Sequence, residues 1–264
     1  MLLAGKVAII TGASQGIGRA LAGCLGDAGC RLVLVARSAP EVEDAAARLP
    51  AAVAVPGDVS DPSTARRAVT AALERFGRLD VLINNAGVGL RAPVARMEPA
   101  DLACVFEVNV LGALRFIREA LPHLVRQGEG LVVNVSSVGG RQSIPFLGGY
   151  GATKAALASL SDSLRMELAG TGVRVLTVFP GSVDTGFKRH ARGEPYPERR
   201  GASRLTAEEV AGRIVRAMAA DRREEYILSR SERLGLLLGR FLPRVVEAKL
   251  IERYGDPGEK PALR

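Results

Sequence analysis

The sequence predicts an α/β fold in which helices cover both faces of a parallel β-sheet. Short apolar runs alternate with longer segments of helical periodicity, and this alternation implies right-handed crossovers between parallel strands. The strand runs are almost wholly apolar, which is typical of a sheet that helices bury on both faces. No linker interrupts the pattern over the 264 residues, so one doubly wound domain over 1–264 is predicted.

The predicted elements follow one another with turn residues between them. The predicted strands are Val7–Thr11, Leu32–Ala36, Ala52–Val55, Val81–Asn84, Gly130–Val135, Val173–Phe179 and Tyr226–Leu228. The predicted helices are Gly16–Ala28, Glu41–Leu49, Ser63–Phe76, Ala100–Arg126, Tyr150–Leu168 and Thr206–Ala220. A polar segment at 186–205 is predicted to be a substrate loop, because long loops in compact domains are usually functional. A final amphipathic helical extension is predicted over 232–254.

Composition narrows the function classes. The chain has 36 basic and 28 acidic side chains, and most of the excess lies after residue 185, where there are 18 basic and 12 acidic ones. Aromatic residues make up only 4%, too few for base-stacking platforms, so an anionic surface or ligand is expected and nucleic acid is not. Three cysteines without metal-like spacing predict reduced thiols in a cytoplasmic protein and no metal site. Neither a signal peptide nor a membrane span is expected.

The first strand leads into a glycine-rich turn that precedes the first helix. Gly12 allows the tight turn, Gly16 allows the backbone to approach a pyrophosphate, and Gly18 allows the helix to pack closely on the strand. The N-terminus of the helix offers unpaired N–H groups to phosphates, which favours a dinucleotide site over an ordinary turn. The predicted phosphate-binding residues are Gly12, Ser14, Gln15, Gly16, Ile17 and Gly18.

The end of the second strand indicates which dinucleotide is bound. NAD sites commonly place an acidic residue here to bind the ribose 2′-hydroxyl, whereas an arginine can neutralise a 2′-phosphate. This chain has Arg37 and Ser38 at that point, so NADP(H) is the predicted cofactor. The alternative is that Arg37 is an ordinary solvated surface residue.

Further along, an ordered set of motifs resembles the short-chain dehydrogenase/reductase family. The motifs are Thr11–Gly18, Asp58–Val59, Asn84–Gly87, Asn109, Ser137, Tyr150–Lys154 and Pro180–Gly181. The resemblance covers roughly residues 5–185 and implies one Rossmann-type domain with a parallel sheet of about seven strands. It also implies an oxidoreductase that transfers a hydride between NADP(H) and a carbonyl or secondary alcohol, and a homodimer or homotetramer.

The resemblance also assigns roles to individual residues. It implies that Tyr150 is the catalytic acid or base, that Lys154 binds the nicotinamide ribose and tunes Tyr150, and that Ser137 binds the substrate oxygen. Asn109 is expected to kink its helix and to hold a water of the proton relay. The further cofactor contacts that it implies are Asp58, Val59, Asn85, Ala86, Gly87, Pro180, Gly181, Val183 and Thr185.

The Tyr150 chemistry has an electrostatic requirement. A tyrosine that acts as a base near pH 7 needs a pKa about three below its usual value near 10. One cation at about 4 Å can supply the roughly 4 kcal/mol that this requires. Tyr150 and Lys154 are four residues apart on one helix face, so Lys154 is expected to lower the pKa of Tyr150.

The C-terminal quarter leaves three interpretations open. Apolar residues from Leu234 to Leu250 form one helical stripe with basic residues between its members, and Pro243 is expected to kink or split the helix. The stripe could pack on its own or a partner subunit, lie on an anionic membrane, or cover the substrate as a lid. The segment resembles the branch of the family that ends in extra helices, which implies a hydrophobic, lipid-, steroid- or retinoid-like substrate.

The residues beside the catalytic stretch are candidates for an apolar pocket. They are Val88, Leu90, Ile144, Phe146, Leu147 and Phe187. A rival to the enzyme is a non-catalytic sensor or scaffold that binds NADP(H) and a protein. The intact set of Ser137, Tyr150 and Lys154 argues against it, because a sensor does not need a tuned phenol.

Overall fold

The computed structural model describes residues 2–196, 205–239 and 241–254 and confirms the doubly wound fold. All strand pairs of the central sheet are parallel. The strands are β1 (Val7–Thr11), β2 (Arg31–Ala36), β3 (Ala52–Pro56), β4 (Val81–Asn84), β5 (Gly130–Val135), β6 (Val173–Pro180) and β7 (Glu224–Ile227). Their spatial order is β3-β2-β1-β4-β5-β6-β7, so the winding reverses between β1 and β4. Ligands of such sheets bind outside the carboxyl ends of the strands at this reversal.

Helices cover both faces of the sheet. They are α1 (Gly16–Asp27), α2 (Ala39–Ala47), α3 (Pro62–Phe76), α4 (Pro99–Phe106), α5 (Ala113–Gln127), α6 (Gly148–Glu167), α7 (Ala207–Ala219), α8 (Arg230–Gly239) and α9 (Pro243–Tyr254). One apolar core forms between the sheet and α1, α2 and α7, and a second one between the sheet and α3, α5 and α6. Among the described residues, no helix is both long and apolar enough to cross a membrane.

Two predicted helices are interrupted. The helix predicted over Ala100–Arg126 contains a π-helical turn at Glu107–Gly112, between α4 and α5. Such turns widen the helical hydrogen-bond ladder and often mark functional positions. The extension predicted over 232–254 is two helices, because Pro243 lacks an N–H group and begins a new helix after α8 has ended.

The predicted substrate loop at 186–205 has short pieces of regular structure. Gly186–His190 forms a 3₁₀ turn, and the pair Arg192–Gly193 runs parallel to Leu90–Arg91. Leu205–Thr206 pairs with Val183–Asp184 just before α7. Residues 197–204 of this loop lie outside the described residues. The described parts hold the loop against the carboxyl end of the sheet.

Candidate active site

A cleft of 1110 Å³ opens at the carboxyl end of the sheet, where the order of the strands reverses. Its walls come from the segments that follow β1 to β6 and from the C-terminal helices α8 and α9. The predicted cofactor and catalytic residues that line it are Gly12, Ser14, Gln15, Gly16, Ile17, Arg37, Ser38, Asp58, Val59, Asn85, Ala86, Gly87, Ser137, Tyr150, Lys154, Pro180, Gly181, Val183 and Thr185. Of the predicted cofactor and catalytic residues, Gly18 and Asn109 lie behind this wall.

The glycine turn has the geometry of a phosphate cradle. Gly12 and Gly16 have φ angles of 67° and 53°, a region in which a side chain is strained. A Cβ on Gly18 would lie 2.1 Å from the Gly12 carbonyl oxygen, so only glycine allows α1 to pack this closely on the turn. Gln15 precedes α1 without a side-chain cap, which leaves the first N–H groups of the helix open to an anion.

Asn85 locks the glycine turn to the end of β4. The Nδ2 group of Asn85 donates to the carbonyl oxygens of Thr11 and Gly12, at 2.9 and 3.2 Å. The Thr11 hydroxyl accepts from the backbone N–H groups of Asn85 and Ala86, both at 3.0 Å. The Asn85–Gly87 segment is thereby fixed beside the turn, and the two together form one rigid wall of the cleft.

One end of the cleft has the groups expected around an adenosine. Arg37 is exposed there and forms no ion pair or hydrogen bond within the part of the chain that the structure describes. The Asp58 carboxylate is held by the backbone and hydroxyl of Ser60, at 2.9 and 2.7 Å. Glu41, on the first turn of α2, also lines this end and was not predicted. The positive charge of Arg37 would attract a 2′-phosphate, and the negative charge of Glu41 would repel it.

The predicted catalytic side chains meet at the other end. A Cβ on Gly139 would lie 3.6 Å from the Ser137 oxygen and 4.0 Å from the Tyr150 ring, so the two side chains converge there. The Ser137 oxygen accepts from the Gly139 N–H, at 3.1 Å, which fixes its direction. The Ser136 hydroxyl donates to the Lys154 carbonyl oxygen at 2.8 Å, so its proton is already bound to α6. Ser137 is therefore the serine that can bind a substrate oxygen together with Tyr150.

The electrostatics differ from the expectation. The Lys154 ammonium donates to the Val135 carbonyl oxygen at 2.9 Å and lies 5.8 Å from the centre of the Tyr150 ring. Burial lowers the pKa of Lys154 to about 8. Burial raises the pKa of Tyr150, and the nearby Ser137 side chain lowers it by less. The low pKa expected for Tyr150 is not found in the chain alone, because burial of the phenol has the largest effect on that pKa. The tuning of Tyr150 by Lys154 beside a bound dinucleotide stays a prediction.

Asn109 is a structural support of the site. It lies on the π-helical turn and is 1% exposed. Its carboxamide accepts from the Val88 N–H at 2.7 Å and donates to the Val88 carbonyl and the Thr153 hydroxyl, both at 2.9 Å. The Thr153 hydroxyl in turn donates to the Tyr150 carbonyl at 2.7 Å. The side chain thus joins the segment after β4 to α6. Its expected role in holding a water of the proton relay stays a prediction.

The apolar part of the cleft lies beside Tyr150. The predicted substrate residues Val88, Ile144 and Phe187 line it, as does Leu147. The Phe187 ring meets the Tyr150 ring edge-on at 5.6 Å. Two further candidates were wrong: Leu90 is fully buried in the core, and Phe146 lies under the Arg91 guanidinium instead of lining the cleft.

The C-terminal helices α8 and α9 close this side of the cleft. Part of the predicted apolar stripe faces inward, and its cleft-lining members are Leu234, Leu238, Val245, Val246 and Leu250. Val246 is 7% exposed, whereas Phe241 is 77% exposed on the outside. This arrangement combines two of the three interpretations, packing on the same subunit and covering the cleft as a lid. Both sides of the helix pair carry apolar side chains.

The cleft residues that sequence reasoning missed include Arg91, Tyr196 and Glu232 besides Glu41. Arg91 is almost buried and pairs with Glu194 at 2.9 Å, and Tyr196 lies near Tyr150 with its pKa raised to about 12 by burial. No local pattern distinguishes either of them. Glu232 was detectable, because a serine three residues before it forms a capping-box pattern at the start of α8.

A family profile, a related sequence and a solved structure all match this chain to dehydrogenases or oxidoreductases. The profile of the short chain dehydrogenase family matches residues 6–195. An uncharacterized oxidoreductase of Staphylococcus epidermidis is 36% identical over 215 residues, which cover 81% of this chain and 90% of that protein. A short chain dehydrogenase/reductase from Burkholderia phymatum, solved in complex with NAD, covers 100% of both chains with a TM-score of 0.80 and 30% identity.

A second solved structure carries the other type of dinucleotide. It is an alcohol dehydrogenase from the archaeon Thermococcus sibiricus complexed with 5-hydroxy-NADP. It is 35% identical, has a TM-score of 0.74, and covers 86% of this chain and 96% of its own. A nicotinamide dinucleotide is thus common to both solved relatives, and the 2′-phosphate is not.

Proposed function

The chain belongs to the short-chain dehydrogenase/reductase family and is an oxidoreductase, and on that premise we propose that it uses NADPH to reduce the carbonyl group of a hydrophobic substrate. The observation that carries the proposal is the convergence of the Tyr150 and Ser137 side chains in a cleft whose other end is the glycine turn. A dinucleotide that places its adenosine near Arg37 extends along this cleft toward Tyr150.

The residues of the chain divide the work of carbonyl reduction. A nicotinamide dinucleotide supplies the hydride when it is bound. The Ser137 and Tyr150 hydroxyls both donate to the substrate oxygen, which polarises the carbonyl bond. Tyr150 then gives its proton to that oxygen as negative charge develops on it. Lys154 lies in the wall next to Gly87, where its ammonium can bind a ribose hydroxyl and stabilise the phenolate that remains.

The raised pKa of Tyr150 suits the proton-donor role that carbonyl reduction requires. Burial of the phenol keeps its proton on at neutral pH, so the chain holds a ready proton donor for a carbonyl oxygen. The reverse reaction starts from the phenolate, which is a minor form below the ordinary tyrosine pKa near 10. We therefore propose that the site is protonated for reduction at neutral pH, while the net direction is set by the concentrations of substrate and dinucleotide.

We expect Arg37 to set the preference for NADPH over NADH. A charge-assisted contact to a 2′-phosphate is worth about 1.5–3 kcal/mol, so Arg37→Ala should weaken NADPH binding by about 10- to 100-fold and leave NADH binding nearly unchanged. Glu41→Gln should strengthen NADPH binding, because it removes a negative charge from the same end of the cleft. Dissociation constants from reduced-nicotinamide fluorescence measure both effects.

A matched control is Arg66→Ala, which removes an exposed arginine of α3 outside the cleft. It should change neither dissociation constant. Equal loss of NADPH and NADH affinity in Arg37→Ala would contradict the assignment of Arg37 to the 2′-phosphate, and tighter binding of NADH than NADPH by the wild-type chain would make the enzyme NAD-dependent.

The substrate proposal rests on the apolar wall beside Tyr150. Val88, Ile144, Leu147 and Phe187 face the cleft from one side, and the inner stripe of α8 and α9 faces it from the other. Burying one CH₂ group is worth about 0.8 kcal/mol, so kcat/KM for ketones of increasing chain length should rise about fourfold per carbon until the pocket is full. Initial rates with a series of 2-alkanones measure this.

The rival proposal of a non-catalytic NADP(H) sensor makes the opposite prediction for the same assay. It requires dinucleotide binding without turnover of any ketone in the series. A rate that does not depend on chain length would instead retain the enzyme and exclude an apolar substrate pocket.

We also propose that two copies of the chain associate through the outer face of α5 and α6. Apolar side chains that are exposed there are Leu114, Val125, Leu160 and Met166, and Leu111 is exposed on the π-helical turn just before α5. Met166 alone is 72% exposed, and a second copy of the same face would cover it. Light scattering should give a dimer or tetramer for the wild type and a smaller species for Met166→Glu. A monomeric wild type would refute the association.

The outer face of α8 and α9 suggests peripheral membrane contact. Leu237, Phe241 and Ile251 are exposed there, and the helices also expose Arg233 and Arg244. Apolar side chains flanked by cations match a surface of anionic lipid. Vesicles with phosphatidylserine should co-sediment the wild type but not Phe241→Glu. Equal binding of both proteins would remove the proposal.

A further inference from the structure

A carboxylate at the start of α8 bridges the C-terminal helices to the segment that follows β6. The Glu232 Oε2 atom accepts from the backbone N–H of Ser229 at 2.9 Å and from the Ser229 hydroxyl at 2.8 Å. The Ser229 oxygen in turn accepts from the Glu232 N–H at 3.3 Å, which completes a capping box for α8. These bonds satisfy the helix end, but they use only one of the two carboxylate oxygens.

The second oxygen of Glu232 leaves the helix. Its Oε1 atom accepts from the backbone N–H of Ser182 at 2.8 Å, across 50 residues of sequence. A Cβ on Gly181 would lie 2.3 Å from Oε2, so a side chain at position 181 would push the carboxylate away. The glycine of the Pro180–Gly181 motif is therefore needed here for the approach of Glu232.

The segment held by Glu232 is also the wall of the cleft opposite the glycine turn. A Cβ on Gly16 would lie 3.3 Å from the Thr185 side chain, and one on Gly186 would lie 3.1 Å from the Gln15 carboxamide oxygen. Residues 181–187 thus run from Glu232 at one end to the phosphate turn at the other. Val183 and Thr185, in the middle, line the cleft.

We propose that Glu232 is a positioning residue that fixes residues 181–187 against the cofactor turn and so links the C-terminal helices to the nicotinamide end of the cleft. The inference rests on the proposed dinucleotide site. A carboxylate that accepts a hydrogen bond from the part-buried Ser182 N–H restrains the segment more strongly than a neutral acceptor does. The adenosine end, around Arg37 and Asp58, has no contact with Glu232.

The test separates the two ends of the ligand and includes a measurement on the free protein. In Glu232→Ala, Ser182 amide hydrogen exchange should quicken at least tenfold, and NADPH should bind about tenfold more weakly. Adenosine 2′,5′-bisphosphate, which lacks the nicotinamide half, should bind as it does to the wild type. Glu232→Gln keeps one acceptor oxygen for Ser182 and should recover most of the NADPH affinity.

Two further variants serve as a control and as a second test of the same contact. Glu247→Gln removes an exposed carboxylate of α9 that does not line the cleft, and it should change nothing. In Gly181→Ala, the added methyl group displaces the Glu232 carboxylate. This variant should show the same changes in exchange and affinity as Glu232→Ala. It therefore serves as the test if the Glu232→Ala chain does not fold.

Three outcomes would overturn the proposal. They are unchanged Ser182 exchange in Glu232→Ala, equal weakening of NADPH and of adenosine 2′,5′-bisphosphate, and an unchanged NADPH affinity. A wild-type chain that binds neither ligand would overturn the proposed function and with it the cofactor role of Glu232. Ser182 exchange would still decide whether the Glu232–Ser182 bond exists, so the two failures are distinguishable.

Discussion

Replacing Tyr150 by phenylalanine should lower kcat for ketone reduction by about 10²- to 10⁴-fold, which is the range of a lost general acid. The ring keeps its edge-on contact with Phe187, because the substitution removes only the hydroxyl. NADPH affinity should change less than about threefold, since the phosphate turn and Arg37 are untouched. Stopped-flow measurement of NADPH consumption in a single turnover separates the chemical step from binding.

Tyr226→Phe is a matched control for this loss. Tyr226 stacks on Phe179 in the sheet, and its hydroxyl donates a hydrogen bond to the Glu224 carboxylate, away from the cleft. Its hydroxyl has no part in the proposed reaction, so kcat should stay within about twofold of the wild type. A Tyr150→Phe enzyme that reduced ketones at the same rate as Tyr226→Phe would exclude Tyr150 as the proton donor.

Replacing Lys154 by methionine should make the protein more stable and nearly inactive. The pKa of Lys154 is lowered from 10.5 to about 8 by burial, so below pH 8 the folded state bears a charged amine at a cost of about 3 kcal/mol. Methionine has no charge to desolvate but loses the bond to the Val135 carbonyl, worth about 1 kcal/mol. The free energy of unfolding at pH 7 should therefore rise by about 2 kcal/mol.

The pH dependence has a definite sign. Between pH 8 and 10.5 the unfolded chain holds a proton that the folded chain has lost, so wild-type stability from this group rises with pH. The advantage of Lys154→Met should thus shrink from pH 7 to pH 10. Urea unfolding at both pH values measures it, with the exposed Lys249→Met as control. A variant less stable than the wild type at pH 7 would contradict the cost assigned to the buried amine.

The sheet and the phosphate turn were predictable because local rules determine them. The strand runs have an apolar pattern that only burial on both faces explains, and the observed bounds agree to within about two residues. Gly18 was assigned to close packing of the helix on the strand, and its Cβ would indeed meet the Gly12 carbonyl. Spacing along one strand–turn–helix unit sets both features.

The errors come from properties that depend on distant parts of the chain. The four-residue spacing of Tyr150 and Lys154 gives their common helix face, but the β5 carbonyl that binds the ammonium and the burial that shifts both pKa values are tertiary effects. The partners of the Asn109 carboxamide, Val88 and Thr153, are likewise not visible in the sequence, and its expected role in holding a water stays a prediction. Sequence patterns identify such residues but not the partners that decide their chemistry.

The position of the C-terminal helices could not be read from their stripe alone. An amphipathic pattern shows that one side is apolar without saying what covers it. The structure places α8 by a polar contact, the bond from Glu232 to the Ser182 N–H, and this contact turns part of the stripe toward the cleft. A capping-box pattern in the sequence predicts the helix start but not the second use of its glutamate.

The central claim is that Tyr150 holds its proton at neutral pH and gives it to a carbonyl oxygen, and the pH dependence of the chemical step in both directions tests it most directly. Single-turnover rates with saturating dinucleotide should be constant from pH 5.5 to 7.5 for ketone reduction, because burial raises the pKa of Tyr150. Alcohol oxidation should accelerate close to tenfold per pH unit over the same range, because it begins from the phenolate. A reduction rate that falls with a midpoint near pH 7 would contradict the account, since it would show a phenol whose pKa the site lowers.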